Sequence, residues 1–285
     1  MRNIKFPAFP LSPLNKRQEP PEDDDPQPEP TTADGNKKLA DGHISKGRVH
    51  QAITCYKKAA RMDSDPSHRT DLGDAYAYAE LPRKALDQYR RAIKSNSKQP
   101  EPYFGLAEVY TRFGKWRAAV DAYAKAVELA PDNPFYRYKL SCAFIQVGCP
   151  DDAVEHLEAA VELKPGDGFY RFELAALYAD AGRDDEAVHE MEQAAALCPA
   201  DDYYLARLGM LYARVGQLDR ATDMFREAIR LQPANLAYRC LLGDVYYWLG
   251  FETRAESQYT EAAEIDDYEA DFVLRARRFS LGGAW

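Results

Sequence analysis

Long apolar runs are missing from this chain of 285 residues; nowhere do about eighteen apolar residues follow one another, so no membrane-spanning helix is expected. Pro7, Pro10 and Pro13 interrupt the first apolar stretch, which argues against a secretory signal. Basic residues are short as well. Lys and Arg number 37 against 46 Asp and Glu, a formal charge of -9, so the basic footprint of a general nucleic-acid binder is absent. The five cysteines, Cys55, Cys142, Cys149, Cys198 and Cys240, are odd in number and scattered. That pattern excludes a disulfide framework and points to a reducing, cytoplasmic setting.

What is present divides unevenly. Eight of the eighteen prolines fall within residues 1–33, together with the acidic block Glu22 to Asp25. Such a composition buries too little apolar surface to offset chain entropy, and the segment is expected to be disordered. Within it, Phe6, Phe9 and Leu11 stand between prolines ahead of Lys16 and Arg17, a composition suited either to a docking motif or to a leader without a role.

Beyond residue 33 the chain repeats itself. Phe135 to Ala153 reads FYRYKLSCAFIQVGCPDDA, and thirty-four positions later Phe169 to Ala187 reads FYRFELAALYADAGRDDEA. With each unit written so that a glycine is its fifteenth position, the series is Gly47, Gly114, Gly148, Gly182, Gly216 and Gly250, with Glu80 in the second unit. Apolar pairs at positions seven and eleven, such as Leu140 with Phe144 and Leu174 with Tyr178, stack on one helical face. A small residue lies between them (Gly73, Ala107, Ser141, Ala175, Gly209, Gly243), where a neighbouring helix is expected to approach closely. After the turn, stripes such as Ala119, Tyr123 and Ala126 predict a second helix. Pro131, Pro165, Pro199 and Pro233 close these second helices, and each unit reads as a helical hairpin.

The pattern L-G/A-x-x-Y, G, A-x-x-x-F/Y-x-x-A, P over seven units resembles the tetratricopeptide repeat family. That resemblance implies an all-α, right-handed α-solenoid: seven hairpins over residues 34–267, then a capping helix and short tail over 268–285. Tyr268, Phe272, Ala276 and Phe279 would form the apolar stripe of the cap. The family's frequent tryptophan is replaced by Tyr136, Tyr170, Tyr204 and Tyr238, read either as packing rings or as a ligand-binding ladder.

Reactive constellations fail on spacing. HEMEQ at His189 places Gln193 where a second zinc ligand would stand, and Cys142 and Cys149 are too far apart for a thiolate site. Neither metal, cofactor nor catalytic residue is expected.

The resemblance implies instead that the first helix of each unit lines a concave surface that binds a protein or peptide. Its groove positions give Phe104, Glu108 and Arg112 in the third unit; Phe135, Tyr138, Cys142 and Gln146 in the fourth; Phe169, Phe172 and Asp180 in the fifth. The sixth gives Tyr203, Met210 and Arg214, and the seventh Asp244, Tyr247 and Trp248. The aromatics are expected to anchor a partner segment, with Arg112 and Arg214 orienting it; the competing reading is that Phe135, Phe169 and Tyr203 pack on one another. The carboxylate clamp that some members use is excluded, because Asp41, Asp71, Glu101 and Gly105 stand where it needs amides and basic groups. Nor do the sixth positions, which include Lys139, Glu173 and Arg207, form an asparagine ladder. The function expected is a non-enzymatic scaffold or adaptor; the alternative is a dedicated regulatory subunit of one enzyme or complex.

Overall fold

The computed structural model describes residues 30–63 and 65–265. The leader up to residue 29 and the cap helix expected from Tyr268 lie outside the described residues. Among those described, fourteen α-helices follow in pairs. Hairpin one is α1 (Ala33–Ser45) with α2 (Val49–Met62), hairpin two α3 (Pro66–Tyr78) with α4 (Pro82–Ser95), and hairpin three α5 (Glu101–Arg112) with α6 (Trp116–Leu129). Hairpin four is α7 (Pro134–Val147) with α8 (Pro150–Leu163), and hairpin five α9 (Gly168–Asp180) with α10 (Asp184–Leu197). Hairpin six is α11 (Asp202–Arg214) with α12 (Leu218–Leu231), and hairpin seven α13 (Leu236–Trp248) with α14 (Glu252–Ile265). Each helix packs on its own partner, and each second helix from α2 to α12 packs on the first helix of the next hairpin, so the described residues form a one-dimensional stack.

Local chemistry sets the boundaries. Asp65, Asn133, Asp167, Asp201 and Asn235 cap first helices by accepting from backbone N–H groups of the opening turn. Thr32 does the same for α1, and Asn36 Nδ2 donates to the carbonyls of Pro30 at 2.8 Å and Thr32 at 2.9 Å. The last residues of the predicted leader are therefore held against the first helix. At every hairpin turn the fifteenth residue is left-handed, and the next N–H reaches back five residues, as Cys149 does to Phe144 O at 3.0 Å. Glu80 adopts φ 57° at this point although it carries a Cβ, and Leu81 N still bonds Tyr76 O at 2.8 Å. A side chain there costs on the order of 1 kcal/mol. The packing of the flanking helices overrides it.

The core follows the alanine stripe. Ala52, Ala85, Ala119, Ala153, Ala187 and Ala221 are all fully buried. Between the two alanines of each second helix stands a large residue: Tyr56, Tyr89, Tyr123, Leu157, Met191, Phe225 or Tyr259. This residue, rather than a helix backbone, explains the small residues at position eight. A Cβ at Gly73 would fall 2.5 Å from Cε1 of Tyr89 and one at Gly209 3.0 Å from Phe225, and at position six of the third unit one at Gly105 would fall 2.5 Å from Cζ of Tyr89. The close approach expected there is made by a ring of the neighbouring second helix.

Candidate functional site

The residue that crosses the first helix also decides what its ninth position does. Tyr56 Oη donates to Asp41 at 2.5 Å, Tyr89 to Asp74 at 2.6 Å and Tyr259 to Asp244 at 2.8 Å, and Tyr123 donates to Glu108. Hairpins one, two, three and seven therefore carry a tyrosine–carboxylate pair, fifteen residues apart, from second helix to first. Burial pushes the phenols up, and the adjacent carboxylates add to it. Burial pushes the Asp74 carboxyl up to about 6, and the Tyr89 hydroxyl opposes that rise.

Hairpins four, five and six lack the pair. Their corresponding residues are Cys142 with Leu157, Ala176 with Met191, and Met210 with Phe225. In the fourth, leucine is shorter than tyrosine and cysteine is smaller than glutamate, and a cavity of about 250 Å³ opens between α7 and α9. Tyr138, Ser141, Cys142 and Ile145 of α7 form one wall, with Leu157 of α8 also lining it. Glu173, Ala176, Leu177 and Asp180 of α9 form the other, and Arg207 arrives from α11. Burial pushes the Glu173 carboxyl up to about 7 against the pull of Arg207, and pushes the Cys142 thiol up to about 12. A thiol so raised is a poor nucleophile at neutral pH. Ser141, 1% exposed, has an Oγ with no hydrogen-bond partner.

The aromatic residues join consecutive hairpins. Phe104 stacks on Tyr136 at 4.8 Å and meets Phe135 at 5.6 Å; Tyr138 meets Phe169 edge-on at 5.0 Å; Phe172 stacks on Tyr204 at 4.8 Å and meets Tyr203 at 5.6 Å. Each fifth-position ring thus rests on the second and third positions of the next unit. The reading in which Phe135, Phe169 and Tyr203 pack on one another does not describe this arrangement, since their partners are Phe104, Tyr138 and Phe172. Phe169 at 39% and Tyr203 at 51% keep an exposed edge.

The other predicted groove residues divide by their partners. Arg112 Nη1 donates to Ala77 O at 3.0 Å and Arg214 Nη1 to Ala179 O at 3.2 Å, each satisfying a carbonyl at the end of the preceding first helix. Arg214 also pairs with Asp184 at 2.5 Å. Both arginines brace consecutive hairpins. Glu108 is held by Tyr123 and by Lys139 Nζ at 3.2 Å, and Asp244 by Tyr259. Gln146, Tyr247 and Trp248 are exposed, on α7 and α13. Of the predicted set Tyr138, Cys142 and Asp180 line the cavity. Glu173 and Arg207 escaped because the sixth position was tested only as an asparagine ladder; opposite charges there in adjacent units were the available signal. No group of three His, Cys, Asp or Glu among the described residues could hold a metal, and no described helix is long and apolar enough to cross a membrane.

The fold of stacked helical hairpins is shared with known proteins. The C-terminal part of a TPR repeat-containing protein from Cytophaga hutchinsonii superposes with TM-score 0.69 at 14% identity, covering 83% of this chain and 98% of that one. YrrB, described as a TPR protein with an unusual peptide-binding site, gives TM-score 0.58 at 20% identity over 68% of this chain and 99% of its own. In sequence, protein bimA of Emericella nidulans is 36% identical over 74 residues, 25% of this chain; the chain spans only 9% of that relative's length. The tetratricopeptide repeat family matches residues 38–66, and the cilia and flagella-associated protein 70 C-terminal domain family matches residues 73–274. The chain belongs to the family of the cilia and flagella-associated protein 70 C-terminal domain, and it is built of tetratricopeptide repeats.

Proposed function

We propose that the chain is a scaffold whose first-helix face over hairpins three to six receives an extended segment of a protein partner. Tetratricopeptide repeats act in general as protein-interaction scaffolds rather than as enzymes. The observation that carries this reading is the open cavity between α7 and α9, flanked by the exposed edges of Phe169 and Tyr203. A concave, mostly apolar recess with a few polar groups is the usual form of a recognition site. Of the residues first expected to bind, Tyr138, Phe172, Asp180 and Tyr203 keep that role here. Arg112, Arg214, Glu108 and Asp244 serve the scaffold. The family name supports a ciliary or flagellar assembly as the setting, and the five free cysteines suit a cytoplasmic one.

Filling the recess tests the reading. Twelve-residue peptides selected from a random display library on the full chain should bind Ala176→Trp at least about tenfold more weakly, while Glu155→Trp on the exposed face of α8 leaves them unchanged. If no peptide is selected, or if Ala176→Trp binds as the native chain does, the groove reading falls.

A further inference from the structure

The cavity has walls of two kinds. Ile145, Leu157 and Leu177 offer an apolar channel, while Glu173, Ser141 and Asp180 offer oxygen atoms. The Glu173 carboxyl takes no hydrogen bond from any described residue, and the buried Ser141 Oγ is likewise unpartnered. Buried polar groups left in this way are costly unless a ligand completes them. Arg207 offsets one of the two carboxylates, and the remaining lysine nearby, Lys139, is engaged by Glu108 at 3.2 Å. Once Glu173 is ionised, the cavity therefore carries one negative charge beyond what Arg207 offsets.

We propose that this cavity takes an arginine or lysine side chain of the bound segment, its stem along Ile145, Leu157 and Leu177 and its cationic head at Glu173, Ser141 and Asp180. The proposal rests on the groove reading above and adds the chemistry of its anchor. A guanidinium or ammonium carries three to five N–H donors and no acceptor, matching a site with acceptors to spare. A long aliphatic stem under a charged head suits an apolar channel with a polar end. An acidic side chain would instead meet two carboxylates. Units with a tyrosine–carboxylate pair fill the equivalent space themselves, so the recess is particular to the middle of the stack.

Acidity adds a signature. The groups around Glu173 are Tyr138 and Cys142 on α7, Arg207 and Tyr204 on α11, and Asp180 on its own helix. Cys142 and Tyr204 are each pushed up to about 12, and Tyr138 higher still, so none of the three titrates near neutrality. With its carboxyl pushed up to about 7, Glu173 is ionised in roughly a tenth of molecules at pH 6 and nine tenths at pH 8. A cation that needs the carboxylate should gain about tenfold in affinity over that range.

The test uses the full chain with n-propylguanidinium, n-butylammonium and butyrate, followed by NMR shifts of the Tyr138 ring. Either cation should bind, about tenfold more tightly at pH 8 than at pH 6, and Glu173→Gln should remove that gain while helicity stays unchanged. Preference for butyrate, no binding by either cation, or an unchanged pH response in Glu173→Gln would overturn the proposal. Selected peptides that lose affinity in Ala176→Trp but show no enrichment in Arg or Lys would overturn it as well, leaving the groove reading intact. Cation binding with no selected peptide would remove the groove reading instead.

Discussion

The second and fourth hairpins solve one packing problem differently. In the second, Tyr89 lies over Gly73, and over Gly105 of the next hairpin, and donates to Asp74 at 2.6 Å; in the fourth, the slots of Gly73, Tyr89 and Asp74 hold Ser141, Leu157 and Cys142, that of Gly105 holds Glu173, and a cavity of about 250 Å³ is left. The backbone is alike in both, with a left-handed residue closing each turn. A repeat therefore folds with or without the tyrosine–carboxylate pair. The pair fills the space over the first helix and bonds its ninth residue; its omission in the fourth hairpin leaves a recess beside the unpartnered Ser141 Oγ.

Exchanging the two solutions gives the largest expected effect. Tyr89→Leu should cost about 3 kcal/mol, because it leaves a void over two glycines and strips Asp74 of its donor. Adding Gly73→Ser and Asp74→Cys rebuilds the set found in the fourth hairpin and should recover about half. The converse pair, Leu157→Tyr with Cys142→Glu, should fill the cavity, alter stability by no more than about 1 kcal/mol and abolish binding of n-propylguanidinium. Urea unfolding midpoints measure the first two, and a titration measures the third. Equal losses in the single and triple variants would show that the slots do not act as sets.

Much of this was legible in the letters. Leucine and tyrosine four apart, glycine at fifteen and alanine at twenty state the hairpin, because each is required by a face, a turn or a close contact. Glu80 shows how firmly: the turn keeps its shape where its glycine is lost. The pairs were legible too, since an acid at 41, 74, 108 and 244 always has a tyrosine fifteen residues later. Assigning Glu108 and Asp244 to a partner overlooked that covariation. The cavity was not legible, because it arises from a difference in volume between Leu157 and tyrosine and not from any motif. Rings at positions two, three and five could be counted but not placed, since stacking depends on the offset between hairpins.

A middle-sized effect separates the two raised carboxyls. Glu173 is pushed up to about 7 with no donor, and Asp74 up to about 6 with the Tyr89 hydroxyl. A carboxyl raised above its unfolded value lets the folded state hold more protons, so its contribution is complete below the unfolded pKa and is lost as pH rises through the folded one. For Glu173 that window runs from about 4.5 to 7. Glu173→Gln should therefore stabilise the chain by about 1–3 kcal/mol at pH 8 and hardly at all at pH 4. Asp74→Asn should gain less at pH 8, since it weakens a charged hydrogen bond at the same time. Denaturant midpoints at both pH values decide it; a larger gain from Asp74→Asn would reverse the contrast between a carboxyl with a tyrosine donor and one without.

The smallest effect concerns what the two regions share. Arg112 binds Ala77 O in the N-terminal part and Arg214 binds Ala179 O in the middle, each thirty-five residues back and each at the end of a first helix. An exposed guanidinium on a carbonyl contributes about 0.5–1 kcal/mol, and the exposed contact of Arg214 with Asp184 adds little. Arg112→Met and Arg214→Met should accordingly lower stability by similar small amounts, and both should leave the affinity of groove-selected peptides within about twofold. A tenfold loss of peptide binding in Arg214→Met alone would return that residue to the recognition surface. The recess would then extend along α11 beyond Arg207, and the division between bracing and binding side chains would have to be redrawn there.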